Sequence, residues 1–347
     1  MNATRKRHPR PHDKEVLLAH GSGGRSMHEL VEGLIVPRLS NPLLDRMGDQ
    51  AVLEVAGVRL AFTTDSFVVS PLFFPGGDIG MLAVNGTVND LAMGGARPLC
   101  LSLSLILEEG LPMVELEGIL DSIQRAAQAS GVQIVTGDTK VVNRGCADKL
   151  FINTSGVGLV ELEPAPDAAR IAPGDRVLVN GSLGDHGMAI MSQREGFRFE
   201  SPIESDTVAL WPLVREMLLA APGAVHALRD PTRGGLATTL NEFASASGFG
   251  IRLREDALPV NEPVRAACEF LGLDPLYVAN EGKLVALVAP EAAETVLQAM
   301  RAHPQGRDAA IVGMVVADPR QRVVLDTRFG SPRVVDMLSG DPLPRIC

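Results

Sequence analysis

Apolar residues occur along the chain in runs whose spacing alternates between that of strands and that of helices. Two short strand-type runs, 51–55 and 58–63, flank Gly57 and predict a hairpin-like pair. The run 79–93 is apolar apart from a few polar positions and is followed by Gly94 and Gly95, which predicts a buried helix. The first half of the chain therefore combines strands with helices.

Further elements follow to the end of the chain. The patterns predict strands at 99–107, 133–136, 150–160, 175–180, 284–289 and 322–325, and helices at 27–39, 113–130 and 334–338. Glycine-rich turns at 181–187 and 229–236 each open a further helix. Prolines between 164 and 173 mark a linker. We therefore expect a disordered leader at 1–13, domains at 14–165 and 166–340, and a tail at 341–347.

Composition supports two folded domains and excludes one class of partner. The chain has 347 residues, of which 46% are hydrophobic and 4% aromatic, so each domain can bury an aliphatic core. Its net charge of -10 argues against a nucleic-acid partner, because binding to a phosphate backbone needs a basic surface. We expect no nucleic acid among the partners.

Two further absences in the sequence predict a cytoplasmic protein. No apolar run approaches the ~20 residues of a membrane span, and no apolar segment follows the basic residues near the N-terminus. The four cysteines show no C-x-x-C spacing, which argues against a zinc knuckle and a disulfide framework. Cys100 and Cys268 have the apolar surroundings of core residues, whereas Cys146 lies in a polar run.

Four separated aspartates are candidate ligands for magnesium. Asp49 and Asp65 flank predicted strands, Asp90 lies late in the apolar helix, and Asp138 follows the strand 133–136. Because Mg²⁺ takes oxygen ligands and usually keeps phosphates and water, these acids could hold it against a triphosphate, with Lys140 meeting the phosphates. Carboxylates at strand ends are also common turn residues, and spacing alone does not show that the four converge.

Two glycine-rich segments and one charged turn allow functional and structural interpretations. Gly23 and Gly24 precede a predicted helix and could let backbone amides close over phosphates, or could form a flexible loop. The turn containing His186 is either an anion site or a plain turn in which the histidine bonds locally. Glu281 and Lys283 are either solvated charges or an acid–base pair beside a phosphate site.

The chain ends in a cysteine beyond the last predicted element. Pro342 and Pro344 stiffen the approach to Cys347, so residues 342–347 are predicted to form an extended arm, whose reach counted from Gly340 is roughly 23 Å. One interpretation is a frayed terminus, and the other is a carrier thiol that can enter and leave a cleft. Because it lies past the last element, we expect removal of the thiol or of the whole tail to cost little stability.

Five segments together carry a family pattern. They are 63–67 (TTDSF), 86–92 (GTVNDLA), 136–140 (TGDTK), 230–235 (DPTRGG) and the terminal 344–347 (PRIC). In this order they resemble the HypE family of hydrogenase-maturation proteins. That family belongs to the aminoimidazole ribonucleotide synthetase superfamily, which also contains selenophosphate synthetase and thiamine monophosphate kinase.

The resemblance implies a mixed α/β (α+β) fold of the two-domain aminoimidazole ribonucleotide synthetase type. It implies N-terminal strands pairing across a homodimer, a C-terminal α/β sandwich, a flexible C-terminal tail, and ATP with Mg²⁺ as cofactors. The implied metal ligands are Asp49, Asp65, Asp90 and Asp138. The implied nucleotide-binding residues are these four acids with Gly23, Gly24, Asn89, Gly137 and Thr139.

The resemblance also implies a reaction. A carbamoyltransferase, HypF, places a carbamoyl group on Cys347, and ATP drives dehydration of that S-carboxamide to a thiocyanate. The cyano group then passes through a HypC–HypD scaffold complex to the iron of NiFe hydrogenase, with Glu281 and Lys140 as candidate bases. Two alternatives stay open: a small-molecule ATP-dependent kinase or synthetase of the same superfamily would not need Cys347, and a scaffold would not need the carboxylates.

Overall fold

The computed structural model describes residues 13–196, 202–340, 343 and 345–347, so the expected leader lies outside the described residues except for Asp13. The strands are β1 (Ala51–Val55), β2 (Val58–Phe67), β3 (Phe73–Phe74), β4 (Gly77–Asp78), β5 (Ala96–Glu108), β6 (Gln133–Val142), β7 (Leu150–Val160), β8 (Arg176–Val179), β9 (Val225–Arg229), β10 (Gly250–Arg254), β11 (Val285–Val288), β12 (Ala310–Val316), β13 (Val323–Asp326) and β14 (Pro332–Val334).

Helices pack against these strands in both halves of the chain. They are α1 (Arg25–Leu30), which a π-helical turn (Val31–Ile35) joins to α2 (Val36–Leu39), and α3 (Ile79–Met93), α4 (Met113–Ser130), α5 (Asp185–Glu195), α6 (Trp211–Ala220), α7 (Gly235–Ser247), α8 (Glu262–Leu271) and α9 (Ala293–Ala302). Together with the strands they form the mixed α/β fold that the sequence predicts.

The N-terminal sheet has five strands in the order β1-β2-β7-β5-β6. Its β5 and β6 are parallel, so the helix α4 between them serves as the crossover connection. The apolar helix α3 packs on this sheet, and Asp78 caps its start by accepting from the N–H groups of Gly80 and Met81 at 2.8 and 3.0 Å. Strand β6 forms one edge of the sheet and is mostly exposed.

The C-terminal sheet has seven strands in the order β14-β13-β10-β12-β8-β11-β9. Its two faces are covered by separate aliphatic clusters, one containing Leu236, Leu240 and Val285 and the other Leu213 and Val296. The side chains of a strand alternate between faces, so helices on both sides leave the central strands fully buried. The sheet therefore gives the C-terminal half the sandwich character that the resemblance implies.

The structure differs from the predicted elements at one wrongly assigned helix and at several elements that were not predicted. The predicted helix at 334–338 is wrong: Val334 is the last residue of strand β14, and it pairs with Val324 of β13. Its β-branched neighbours and Pro332 suit an edge strand better than a helix. Nine of the described helices and strands were not predicted, namely α6, α8, α9, β3, β4, β9, β10, β12 and β14.

None of the helices in the described part of the chain has the combination of length and apolar character that a membrane crossing requires.

Candidate active site between the two sheets

A cavity of about 590 Å³ lies where the N-terminal helices, the first sheet and the C-terminal half meet. Its acidic wall combines residues that are far apart in sequence. They are Glu32, Asp49, Asp65, Asp90, Asp230 and Glu242. The structure therefore brings three of the four predicted aspartates into one cavity and adds three carboxylates that the sequence interpretation did not include.

Local structure explains why the three predicted aspartates meet. Asp90 lies in the last turn of α3, and Asp65 lies near the end of β2, which packs against that helix. The Thr63 hydroxyl donates to Asp90 Oδ2 at 2.8 Å and lies 2.7 Å from the backbone oxygen of Asp49. One hydroxyl thus ties the segment before β1 to the end of α3.

Burial and mutual repulsion make this group of acids hard to ionise. Desolvation raises the pKa of Asp90 well above its usual value, and the charges of Asp230, Asp65 and Asp49 raise it further. Burial likewise raises the pKa of Asp49 and Asp65, although nearby arginines oppose it, and raises that of Asp230 to about 8. Added positive charge would favour the ionised forms of all four.

Residues missed by the sequence interpretation organise one side of the cavity. Arg229 donates to Asp49 Oδ1 at 2.8 Å and also contacts Glu242, which lies 2.8 Å from His28 Nε2. The Glu242 hydrogen bond is the main reason that the pKa of His28 rises to about 9. Asp230 and Arg233 stand in the quoted DPTRGG segment, so that motif carried the missing signal.

The second group of predicted site residues lies away from this cavity. Asp138 and Lys140 are on edge strand β6, with side chains 60% and 68% exposed, and they pair with each other at 2.7 Å. The hydrogen bond from Lys140 lowers the pKa of Asp138. The structure therefore does not unite Asp138 and Lys140 with the other acids within one chain, because they occupy the opposite edge of the sheet from β1.

The predicted nucleotide residues beside Asp138 have a structural explanation. A Cβ on Gly137 would lie 2.1 Å from the carbonyl oxygen of Leu103, so β5 and β6 approach closely only because this residue is glycine. Thr139 is exposed on the same strand. Neither residue borders the cavity within one chain.

Asn89 is a buried joint between the two halves and does not line the cavity. Its amide nitrogen donates to the carbonyls of Val208 and Glu281 at 3.0 and 3.1 Å, and its oxygen accepts from the Leu210 N–H at 2.7 Å. The side chain is fully buried, and these bonds occupy most of its hydrogen-bonding capacity. The assignment of Asn89 to a cofactor is therefore not supported.

Gly23 and Gly24 belong to a loop that packs tightly on the C-terminal half. Gly23 lines the cavity with φ +75°, and a Cβ there would lie 2.5 Å from the Arg233 carbonyl oxygen. A Cβ on Gly24 would lie 2.3 Å from the carbonyl oxygen of Leu338. The loop is further held by the Arg233 side chain, which donates to Gly21 O at 2.7 Å. The glycines are needed for this close approach.

The described part of the terminal segment is docked on the body of the protein, and the prediction of an extended arm is wrong at Arg345, whose φ is 53°. Residue Ile346 bridges Val69 in antiparallel fashion, and the Val68 N–H donates to the Cys347 carbonyl group at 3.0 Å. Ile346 and Leu343 are 2% and 7% exposed and belong to a core cluster that contains residues of both halves, such as Phe67 and Met188. The expectation that the whole tail can be removed at little cost is therefore wrong, because its deletion would expose core residues.

Docking brings Cys347 close to Glu281. Burial is the main reason that the pKa of the Cys347 thiol is raised, and the Glu281 and Asp65 carboxyls add to it while Arg233 opposes it. Glu281 is 3% exposed, and its pKa is raised well above the usual value by burial, then by Asp230 and Asp65. The docked thiol and the carboxyl beside it therefore both favour their protonated forms.

The structure also decides how Lys283 is used. Lys283 Nζ lies 3.0 Å from Asp206 Oδ2, and Asp206 Oδ1 accepts from the Glu281 N–H at 3.0 Å. Lys283 therefore pairs with Asp206, not with Glu281. The bond between Asp206 and Glu281 involves the backbone N–H of Glu281 and not its carboxyl group.

Comparisons with known proteins show the family to which the chain belongs. The family models described as AIR synthase related protein, N-terminal domain, and AIR synthase related protein, C-terminal domain, match residues 47–160 and 172–326. A protein of Azotobacter vinelandii named carbamoyl dehydratase HypE is 58% identical over 334 residues, which are 96% of this chain and 97% of that relative.

Two solved structures are similar over nearly their whole length. A hydrogenase maturation protein HypE crystallised in complex with ATP is 50% identical, with a TM-score of 0.81 over 96% of this chain and 100% of that one. The structure of a HypE–HypF complex matches at 46% identity and a TM-score of 0.85, covering 89% of this chain and 99% of that one. The chain belongs to the HypE family of AIR synthase-related hydrogenase expression and formation proteins.

Proposed function

We propose that this chain is a carbamoyl dehydratase that uses ATP to convert an S-carboxamide on Cys347 into a thiocyanate, which supplies the cyanide ligand of NiFe hydrogenase. One observation carries the proposal: the C-terminal thiol is docked beside Glu281, to which Asp65 and Asp230 of the acidic cavity are electrostatically coupled. Neither a kinase for a free small molecule nor a passive scaffold explains that placement.

The cavity suits ATP with Mg²⁺. A HypE relative was crystallised with ATP, and the buried acids here have raised pKa values that a divalent cation would lower. Among the described residues no three His, Cys, Asp or Glu side chains are placed to hold a metal ion by themselves. Mg²⁺ usually keeps phosphates and water among its ligands, so we propose that Asp49, Asp65 and Asp90 would hold it only together with the triphosphate.

The chemistry follows from the poor leaving ability of an amide oxygen. Transfer of the γ-phosphoryl group to the carbamoyl oxygen makes that oxygen a good leaving group, and Mg²⁺ would supply stabilisation of the charge on the transferring group. Glu281 takes the first proton from the carbamoyl nitrogen. The second N–H proton and the oxygen leave with phosphate as the C≡N bond forms. A carboxyl whose pKa is raised by burial suits this transfer near neutral pH.

We also propose a homodimer whose partner copy supplies Asp138 and Lys140. The exposed apolar side chains of the N-terminal sheet support this arrangement, since Val55, Phe62, Val135 and Val141 are 44% to 67% exposed. Gly137 and Thr139 would approach the nucleotide from the same strand. We also propose a domain boundary at 165/166. It is supported by the strand orders, because each described sheet takes all of its strands from one side of this boundary.

The proposed partners follow from the family and from the chemistry. A relative was crystallised as a HypE–HypF complex, so we propose a HypF-type carbamoyltransferase as the donor to Cys347 and a HypC–HypD complex as the acceptor of the cyano group. Delivery to Cys347 requires the tail to leave the cleft. We place the reaction in the cytoplasm, where a thiol stays reduced and ATP is available.

The test is intact-mass and peptide analysis after incubation with a carbamoyl donor system and Mg-ATP. We expect a mass gain equal to a cyano group in place of hydrogen, located on the C-terminal peptide. Cys347→Ala should remain unmodified, and Glu281→Gln should stop at the carbamoylated tail. A cyano group on Cys100, Cys146 or Cys268, or on the Cys347→Ala protein, would contradict the proposal.

A further inference from the structure

The docked tail is held through its backbone on two sides. On one side, the N–H groups of Val68 and Ser70 donate to the carbonyls of Cys347 and Arg345 at 3.0 and 3.1 Å. In an antiparallel pair these bonds use the carbonyls of alternate residues, so the carbonyl of Ile346 points the other way. That carbonyl lies 2.6 Å from Nε2 of His186, 160 positions earlier in the chain.

The hydrogen bonds around His186 fix which ring nitrogen carries the proton. A carbonyl oxygen only accepts, so Nε2 must be the donor to Ile346. Nδ1 lies 2.8 Å from Ser205 Oγ, and the same oxygen accepts from the Thr207 N–H at 3.2 Å, which leaves the hydroxyl proton for Nδ1. Ser205 is itself anchored, since its N–H donates to the Pro75 carbonyl at 2.8 Å.

The hydrogen bond between His186 and Ile346 is costly to lose because both residues are buried. His186 is fully buried at the start of α5, and its ring meets Phe74 edge-on with centroids 5.5 Å apart. Burial lowers the pKa of His186, which agrees with a neutral ring. Ile346 is 2% exposed, so losing the ring's N–H would deprive a buried carbonyl of this partner.

We propose that His186, oriented by Ser205, is the positioning residue that sets the docked position of the Cys347 thiol beside Glu281. Its Nε2–H donates to the carbonyl of Ile346, the residue before Cys347, and the ring does not act on the thiol directly. The sequence suggested either an anion site or a local bond for this histidine, and the structure places its Nε2 partner near the end of the chain. Its importance for dehydration rests on the proposed function, whereas its grip on the tail does not.

The experiment measures how readily Cys347 is alkylated, without ATP or carbamoyl donor. In a Cys146→Ser background, iodoacetamide labelling of the C-terminal peptide is followed by mass spectrometry. His186→Phe keeps an aromatic ring but removes the donor, and we expect labelling to become about tenfold faster as the docked fraction falls. His186→Gln keeps an N–H donor and should restore a rate within about twofold of the parent.

Two controls separate a grip on the tail from a general structural role. The ATP affinity of His186→Phe should stay close to that of the parent. Ser205→Ala removes the hydroxyl that selects the tautomer, so it should accelerate labelling by about threefold with the imidazole still in place. This variant also carries the test if His186→Phe does not fold.

Unchanged labelling in both His186→Phe and Ser205→Ala would overturn the proposal, as would equal acceleration in His186→Gln and His186→Phe. Thiocyanate formation by the parent protein is scored separately. A failed positioning test with a cyanated tail would leave the proposed function intact, and the reverse result would leave the positioning role intact.

Discussion

The same residue type meets opposite environments in two regions of this molecule. Asp49, Asp65 and Asp90 line the cavity, where desolvation raises their pKa values. Asp138 lies on an exposed edge strand, where Lys140 lowers its pKa. Arg229 and Arg233 only partly offset the burial and mutual repulsion of the cavity acids, whereas Lys140 meets Asp138 directly. One chain therefore contains an acidic cavity in which carboxyl groups crowd together and a charged sheet edge that is exposed.

The largest effect should come from Asp90→Asn. We expect Mg²⁺-dependent ATP hydrolysis to fall by about a hundredfold or more, because a carboxylate facing the phosphates is lost. In the absence of Mg²⁺ the melting temperature near neutral pH should change little, because the raised pKa of Asp90 already favours the uncharged carboxyl. Steady-state phosphate release and thermal melting measure the two effects.

Asp326→Asn, on the far sheet, is the matched control, since Asp326 is an exposed carboxylate paired with Arg252. It should leave hydrolysis unchanged. Wild-type turnover in Asp90→Asn would return that residue to a structural role.

Mixing two inactive variants tests whether the two regions meet across a dimer. Asp90→Asn and Asp138→Asn should each be inactive alone. If Asp138 acts in the partner's cavity, each mixed dimer contains one intact site, and random exchange restores about a quarter of the wild-type activity. The readout is ATP hydrolysis after exchange, with exchange confirmed by native mass spectrometry. Exchange without recovery would place Asp138 outside a shared site, and so would full activity of Asp138→Asn alone.

The pH dependence of stability tests the buried side of the comparison. Asp230 has a pKa of about 8 in the folded protein against 3.8 ordinarily, so the folded state binds more protons than the unfolded state between these values. The contribution of Asp230 to the free energy of unfolding is therefore fully present below its pKa in the unfolded state. It is lost as the pH rises through its pKa in the folded state. Without Mg²⁺, we expect the urea concentration at the unfolding midpoint to decrease as the pH rises from about 5 to about 8. The decrease should be smaller in Asp230→Asn. A midpoint that rises over this interval would contradict the raised pKa values.

The smallest effect should come from Asp138→Asn on stability. An exposed ion pair contributes little because water and salt screen it, so we expect no measurable change in melting temperature at low protein concentration. A loss that grows with protein concentration would show instead that a second copy covers this edge in solution. Differential scanning calorimetry over a range of concentrations distinguishes the two results.

Local patterns predicted the parts of the fold whose physics is local. The apolar run ending at two glycines gave α3 with its bounds, and Asp90 stood out because an acid in an otherwise buried helix demands a partner. The convergence of Asp49 and Asp65 on it depends on the pairing of β1 with β2 and on the packing of β2 against α3. Strand ends alone carry no information on that distance.

The remainder required contacts between residues far apart in the sequence. The sequence around His186 does not predict its hydrogen bond to Ile346. The sequence around Asn89 does not predict that its amide bonds to the backbone of Val208, Leu210 and Glu281. In the second half, short elements such as β9 and β12 owe their form to neighbours in the sheet. Their own hydrophobic spacing is too brief to identify them.

The Asn89 joint has a consequence for how the molecule moves. Hinging the two halves apart would break three buried hydrogen bonds to one side chain, each with a cost of about 1–3 kcal/mol for the group left unpaired. Bending the body at this point is therefore an unfavourable way to admit a substrate. The catalytic cycle is expected to proceed on a rigid frame, with the travel confined to the few residues around Ile346 that enter and leave the cleft.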